Sequence, residues 1–326
     1  MSKKINELNY LGLSAMLRAK EAKLLGRDQL ERMLTESFSD ACRTAADAGY
    51  RDMSELDVNG INAALNERMA EELSELRLSV PDPVLLRILC LQYDCHNAKV
   101  LVKSGGDLEA NAALLSASGC YAPEMLKAVY ESDQDNGDLT PEFAEAIREA
   151  RNVLARTGNP QISDYLLDKA YFAALLKEAK GTGRPYYVNY VRNRIDKVNL
   201  RSLLRTMEMG KRGELLGSAL VDGGTIALDQ IADPALTKDD VIRLYSATIF
   251  DRAAEAADMT AFEKAADNAE NDAVASSSLL AFGPEVVLEY ISALENEITS
   301  LRIILTGKKM GIGADTLRER LRESYV

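Results

Sequence analysis

The chain has 326 residues, of which 47% are hydrophobic and 28% charged, and its 39 basic and 51 acidic residues give a net charge of −12. This length and composition are typical of a folded protein whose core is large enough to need no disulfide or structural metal. The acidic balance argues against nucleic acid as a partner, because affinity for phosphate backbones comes mostly from clustered Lys and Arg.

The cysteines and the start of the chain both favour a reducing compartment. Four cysteines (Cys42, Cys90, Cys95 and Cys120) form no CxxC pair, and we expect buried thiols in a reducing cytoplasm. His96 is the only histidine, so a structural role is favoured over metal binding, and no cofactor or metal is predicted. The first ten residues contain two lysines without an apolar stretch behind them, which indicates no secretory signal.

Apolar residues recur at helical spacing from the amino-terminal part of the chain to its end. The clearest runs are Leu65, Met69, Leu73 and Leu76, then Val188, Val191, Ile195 and Val198, then Leu288, Ile291, Leu294, Ile298 and Leu301. Asp82-Pro83 and Thr140-Pro141 are typical helix starts. The most apolar stretch, 278–294, is interrupted by glycine, proline and glutamate, so we predict no membrane span. The predicted fold class is all-α.

Three landmarks recur about every hundred residues. A proline opens a long helix at Pro83, Pro185 and Pro284, at intervals of 102 and 99 residues. Within each of these helices an acidic residue is followed by a small polar residue three positions on and a basic residue two further on. These triplets are Asp94, Asn97 and Lys99; Asp196, Asn199 and Arg201; and Glu297, Ser300 and Arg302. A weaker landmark, one helix upstream, is Asn66, Asp168 and Asp267.

The recurrence predicts three related helical units, 1–104 with the amino-terminal helix, 105–210 and 211–326, arranged around a pseudo-threefold axis as a funnel. The third unit ends soon after its long helix and is expected to lack a full downstream partner. The acidic and small polar residues of each triplet share a helix face. We interpret them as a repeated polar lock between helices, with partner binding as the alternative. Catalysis is not expected, because no facing acid, base or nucleophile accompanies the repeated carboxylate.

Charge is distributed unevenly along the chain. Residues 192–212 carry a net charge of +5 and residues 302–322 a net charge of +4, whereas residues 229–272 carry −7. Candidate partner contacts on the basic stretches are Arg194, Lys197, Arg201, Arg205, Arg302, Lys308 and Lys309. The simpler interpretation of such runs is a solvated face. The alternative is that basic helices meet an acidic partner.

Several segments resemble one known family along the whole chain. They are Tyr10 with Ser14-Ala15, Arg18-Ala19, Glu21 and Leu24-Leu25; Tyr93-Asp94 with His96-Asn97 and Lys99; residues 192–196 with Asn199-Leu200-Arg201; and residues 295–297 with Leu301-Arg302, Gly307 and Lys308. Together they resemble the C subunit of V-type (A/V-type) ATP synthases, the family of the eukaryotic V-ATPase d subunit. Ser300 departs from the asparagine found in the other two units.

The resemblance implies a non-catalytic, all-α rotor subunit on the cytoplasmic face of the membrane. In that family the funnel binds the central shaft, formed by the D and F subunits, and rests on the proteolipid ring. It thereby couples ATP synthesis or hydrolysis to proton or sodium transport. Two other functions stay open on the residues alone: a soluble helical scaffold that recruits protein partners, and an all-α enzyme with an unrecognised site.

Overall fold

The computed structural model describes residues 5–132, 139–210, 212–275 and 280–324, and all regular structure within these ranges is helical. The all-α prediction is therefore confirmed. Two short 3-10 helices lie at Glu7–Tyr10 and Ala112–Leu114. The α-helices are α1 Leu11–Glu21, α2 Arg27–Thr35, α3 Phe38–Asp47, α4 Val58–Ser79, α5 Pro83–Lys103, α6 Pro123–Glu131, α7 Pro141–Thr157, α8 Pro160–Gly181, α9 Pro185–Glu208, α10 Arg212–Ala219, α11 Leu228–Ile231, α12 Lys238–Tyr245, α13 Asp251–Ala254, α14 Met259–Ala275, α15 Glu285–Lys309 and α16 Ala314–Arg320.

The predicted proline starts of the long helices are confirmed. Pro83 and Pro185 occupy the first turn of α5 and α9, and Pro284 is the N-cap residue of α15. Proline suits these positions because its fixed φ matches the helix and its missing N–H has no partner to lose there. The most apolar stretch, 278–294, lies only partly within the described residues: Leu294 is buried in α15, whereas Ser278 lies outside them. The first four residues of the chain also lie outside them.

The described chain separates into two compact units. The central unit is one continuous segment, 82–254, and contains α5 to α13. The terminal unit combines 5–81 with 255 onwards, so α1 to α4 fold together with α14 to α16. The three-way division at 104/105 and 210/211 follows sequence recurrence rather than compactness, and it stays a prediction.

The core of the central unit is formed by α5, α7, α8 and α9. α8 packs against all three of the others, and α5 buries residues on every side, from Leu85 and Ile88 to Leu101 and Val102. A helix that is apolar all round has little amphipathic character and belongs in the middle of a bundle.

The terminal unit is built around α15. This helix packs against α1, α2, α3, α4, α14 and α16, and every residue from Val286 to Leu294 is buried. Its central position requires both ends of the chain, because α1 to α4 come from the amino-terminal part and α14 and α16 from the carboxy-terminal part. Within the described ranges, neither α15 nor any other helix combines the length and hydropathy that a bilayer span requires.

Candidate functional site

The first polar lock fastens a loop to α5 through backbone groups. The Asp94 carboxylate accepts hydrogen bonds from the amides of Cys120 (2.9 Å) and Tyr121 (3.0 Å). One turn further along α5, the Asn97 amide bonds Ser116 in both directions, donating to its carbonyl oxygen (2.9 Å) and accepting from its N–H (2.8 Å). Asp94 and Asn97 are fully buried, so the lock satisfies polar groups that would otherwise be costly to desolvate.

The second polar lock repeats this arrangement on α9. The Asp196 carboxylate accepts from the Thr225 amide (2.9 and 3.0 Å) and from the Ile226 amide (3.4 Å). Asn199 bonds the backbone of Val221 in both directions, each at 2.8 Å. A polar lock is therefore present on both α5 and α9, but it joins each helix to a loop. The sequence predicted a lock between two helices, whereas the partners are loop amides.

A glycine in each loop allows the backbone to come this close to the carboxylate. Each glycine comes three residues after the residue that the lock's asparagine binds, as Gly119 follows Ser116 and Gly224 follows Val221. The amides that the lock's aspartate binds come directly after the glycine. A Cβ atom at either position would overlap Oδ1 of Asp94 or Asp196. Glycine is thus required by close approach rather than by a positive φ.

The third polar lock lies on α15 and is completed by the amino-terminal part of the chain. The Glu297 carboxylate accepts from the Leu25 amide and from the Tyr50 hydroxyl, the latter at 2.7 Å. Leu25 directly precedes the N-cap residue of α2, as Tyr121 precedes that of α6 and Ile226 that of α11. The third unit was expected to lack a full downstream partner. In the terminal unit, residues 24–35 from the amino-terminal part of the chain occupy the position that the loop and helix after α5 and α9 have in the central unit.

The third polar lock departs from the other two in its chemistry. Lys23 stands where the loops have glycine, and the longer glutamate side chain reaches the amide without the same close approach. Ser300 is buried, and its hydroxyl has no hydrogen-bond partner, so it does not reproduce the two-way amide bond. The neighbouring Asn296 instead donates to the Glu323 carbonyl oxygen (2.8 Å), which ties down the carboxy-terminal segment.

The basic residue of the triplet binds the helix that precedes the next long helix. Lys99 pairs with Asp168 of α8 at 2.5 Å, and Arg302 donates to Asn62 (3.1 Å) and Asn66 (2.8 Å) of α4. This explains two members of the weaker landmark, because Asp168 forms the ion pair with Lys99 and Asn66 accepts the hydrogen bond from Arg302. Asp267, its third member, pairs with Arg322 at 2.7 Å.

Burial alters the acidity of two of the three lock carboxylates. Burial raises the pKa of Glu297, although hydrogen bonds from Leu25 and Tyr50 and the nearby charge of Arg68 oppose that change. Burial also raises the pKa of Asp196 against the bonds from Thr225 and Ile226. Both side chains are therefore held where the anion is disfavoured by desolvation and favoured by donors.

The candidate partner contacts do not form one uniform exposed face. On α9, Arg205 is exposed, whereas Arg194, Lys197 and Arg201 are half-buried. Arg194 donates to the Tyr190 hydroxyl (2.7 Å) and to Gln92 (2.9 Å).

Two of the three candidates on α15 are engaged within the chain. Arg302 binds α4 as described above, and Lys308 donates to the carbonyl oxygens of Leu34 (2.8 Å) and Glu36 (2.6 Å). Lys309 is exposed, with its ammonium 4.8 Å from the centre of the Phe38 ring. Arg205 and Lys309 are therefore the candidates with the most accessible charge.

His96 lies beside a backbone group: its Nε2 is 2.8 Å from the Leu114 carbonyl oxygen. No cluster of three or more His, Cys, Asp or Glu side chains suited to a metal ion occurs in the part of the chain that the structure describes. The sequence did not indicate Ser116, Val221 or Leu25 as partners of the triplets, because all three contribute backbone groups; Leu25 was noted only for the family resemblance. The glycines at 119 and 224, which recur at an interval of 105 residues, are the signal that could have indicated these loops.

The locks define a class of protein: an all-helical body in which buried polar residues, recurring on the long helices, fasten other segments of the chain to them. Residues 13–320 match the ATP synthase (C/AC39) subunit family, and the chain belongs to this family. Its members are the C subunits of V-type and A-type ATP synthases, generally non-catalytic stalk subunits of rotary ATPases.

Curated relatives match over nearly their full length. The chain is 22% identical to the C subunit of the V-type sodium ATPase of Enterococcus hirae, covering 98% of this chain and 99% of that protein. It is 23% identical to the C subunit of the V-type ATP synthase of Thermus thermophilus, covering 96% and 98%. It is 24% identical to the C subunit of the A-type ATP synthase of Methanosarcina mazei, covering 98% and 94%.

Proposed function

We propose that this chain is the rotor subunit that couples the central shaft of a V-type ATP synthase to its membrane ring. Its partners are then the D and F subunits of the shaft and the proteolipid (c/K) ring, and the transported ion is a proton or sodium. The chain would sit peripherally on the cytoplasmic face of the membrane, as the d subunit, its eukaryotic counterpart, is expected to do. Family membership over residues 13–320 is the observation that carries this proposal.

The polar locks support a coupling role on physical grounds. A part that transmits torque must deform little under load, and each lock adds buried, charge-assisted hydrogen bonds between a long helix and a distant loop. The three long helices carry a buried acidic residue of a lock at the same place in the recurrence, although the third lock differs in chemistry. This recurrence supports three related units around a pseudo-threefold axis. A funnel of this kind would bind the shaft in its cavity and the ring at its base.

Arg205 is the candidate contact whose role is most directly testable. It is exposed on α9, so charge reversal in Arg205→Glu is expected to leave folding unchanged and to weaken assembly with the other subunits by about tenfold. Arg43→Glu, at an exposed position on α3, is the matched control. Pull-down of tagged chain with the D and F subunits and the ring measures the effect. Equal retention of both variants would remove Arg205 from the contact surface.

Co-purification tests the proposed function itself. Tagged chain isolated from gently solubilised membranes should bring down D, F and the proteolipid in fixed ratio. Recovery of the chain only from the cytosol, without any of these subunits, would contradict the proposal. Small-angle scattering of the isolated chain adds an independent check, because an elongated superhelix would favour the scaffold alternative over a funnel.

A further inference from the structure

A narrow cavity of about 10 Å³ lies within the terminal unit, beside the third polar lock. On α15 it is lined by Ala293, Asn296, Glu297 and Ser300, and elsewhere by Leu24, Leu25, Leu30 and Ser324. One water molecule needs roughly 10–15 Å³ and two to four polar partners, so the cavity has the size of a single water. The polar atoms of its lining therefore decide whether water is held there.

Two buried polar atoms belong to residues that line this cavity. Oδ1 of Asn296 and the hydroxyl of Ser300 have no hydrogen-bond partner among the residues that the structure describes. Asn296 is 6% exposed and Ser300 is 1% exposed, so bulk solvent does not satisfy these atoms. The two residues are four positions apart on α15 and share a helix face. Because a buried polar group without a partner is costly, a small molecule that pairs with both atoms is favoured here.

The amide of Asn296 cannot turn over to satisfy its oxygen. Its NH₂ group donates to the Glu323 carbonyl oxygen (2.8 Å), and a carbonyl oxygen can only accept. Exchanging the two ends of the amide would bring two oxygens together. Oδ1 is therefore held in a position where only a donor can pair with it.

The hydroxyl of Ser300 does not make the bond that other hydroxyls on α15 make. Thr299 donates to the carbonyl oxygen of Glu295 (2.8 Å) and Thr306 to that of Arg302 (2.6 Å), in each case four residues earlier. This intrahelical bond is the usual one for Ser and Thr inside a helix. Since Ser300 does not use it, its hydroxyl remains available to a molecule in the cavity.

The place that a loop residue takes in the first two locks belongs to a helix in the third. In the first two, the asparagine binds a residue that lies five positions before the second amide bound by the aspartate. The same count back from Leu25 leads to Lys20, which lies in α1. Its carbonyl oxygen already accepts from the Lys23 amide (2.9 Å). A longer amide side chain in place of Ser300 would therefore find no loop backbone to bind.

We propose that one buried water molecule binds in this cavity and completes the third polar lock. The water donates to Oδ1 of Asn296 and accepts from the hydroxyl of Ser300, and these two partners meet the minimum that a buried water requires. It supplies the pairing that an asparagine amide supplies in the other two locks. The inference goes beyond the proposed function and does not depend on it, because it concerns the chain by itself.

A crystal structure of the full, unmodified chain, at a resolution that shows ordered water, tests the site directly. We expect one water whose oxygen lies about 2.7–3.2 Å from Oγ of Ser300 and from Oδ1 of Asn296. Absence of ordered water at this place would overturn the proposal. So would a Ser300 hydroxyl that donates to the Asn296 carbonyl oxygen, as Thr299 does to Glu295.

Oxygen-17 relaxation dispersion, which counts long-lived buried waters in solution, gives a second test. Ser300→Val replaces the hydroxyl by methyl groups that occupy the cavity, so the count should fall by about one. Thr299→Val is the matched control, because this neighbouring hydroxyl bonds Glu295 and lies outside the cavity lining; its count should match that of the unmodified chain.

Two results in solution would contradict the proposal. Equal counts in all three proteins would mean that Ser300 holds no water, and an equal loss in both variants would indicate general loosening of α15. Circular dichroism confirms that the variants are folded. Should Ser300→Val fail to fold, the crystal structure of the unmodified chain still decides.

Discussion

Replacing Gly224 by alanine is expected to destabilise the protein by about 2–4 kcal/mol. The added Cβ would overlap Oδ1 of Asp196 and lie 3.2 Å from Cγ2 of Ile195. The carboxylate cannot move away cheaply, because Thr225 and Ile226 hold it and a displaced carboxylate would be buried without donors. Urea denaturation followed by circular dichroism measures the change.

Gly217→Ala is the matched control for this prediction. Gly217 lies in α10, and a Cβ there would meet no atom within 4 Å. Alanine has the higher helix propensity, so this variant should be neutral or stabilised by up to about 1 kcal/mol. If both alanine variants lower the unfolding midpoint equally, the close approach at Gly224 is not what the loop requires.

Gly119→Ala extends the same argument to the first polar lock. The new Cβ would overlap Oδ1 of Asp94, which accepts from Cys120 and Tyr121. We expect a loss of about 2–4 kcal/mol and a faster hydrogen exchange at these two amides. Exchange rates measured residue by residue would separate loss of the lock from general destabilisation, which would raise exchange throughout the central unit.

The helices could be predicted from sequence because their signals are local. The spacing of apolar residues and the prolines at 83, 185 and 284 act within a few turns of one helix. The acidic residues that the recurring triplets singled out are all buried, since Asp94, Asp196 and Glu297 are at most 5% exposed.

The partners of these residues were not predicted, and only the recurring glycines at 119 and 224 mark the two loops in the sequence. Asp94 and Asp196 bind backbone amides, which every residue type except proline possesses, so the sequence does not reveal which residue donates. Glu297 binds the amide of Leu25, which is 272 residues away in sequence. Arg302 and Lys308 were expected as partner contacts because charge alone does not indicate whether a cation bonds the chain's own carbonyl and amide oxygens. Only the folded arrangement of the two chain ends reveals that use.

Glu297→Ala is expected to cost about 2–5 kcal/mol, because it removes the acceptor of two buried donors and leaves a cavity beside α15. The two donors bind different oxygens of Glu297, and Glu297→Gln keeps one of them to accept from the Leu25 amide. Its NH₂ group then stands beside the Tyr50 hydroxyl and can donate to that oxygen, so this variant should be closer to the unmodified protein. Hydrogen exchange at the Leu25 amide reports directly on the lock and should accelerate strongly only in the alanine variant.

The stability contribution of Glu297 depends on pH, and Glu297→Gln reveals the direction of that dependence. Because burial raises the pKa of Glu297 above its usual 4.5, there is a pH window above 4.5 in which the native state binds a proton that the unfolded chain has released. The Glu297 contribution to stability is therefore present below about pH 4.5 and is lost as the pH rises through the native pKa. Glu297→Gln has no such titration, so its stability relative to the unmodified protein should increase with pH across that window.

Urea denaturation of both proteins at a series of pH values measures this difference, and Glu71→Gln, at an exposed position on α4, is the control for removing a surface carboxylate. A relative stability that falls as the pH rises would mean that the amide and hydroxyl donors outweigh desolvation. The third lock would then hold an anion more tightly than a protonated acid. In that case the terminal unit would be fastened by charge at neutral pH, and its closure through both chain ends would strengthen rather than weaken as the carboxylate ionises.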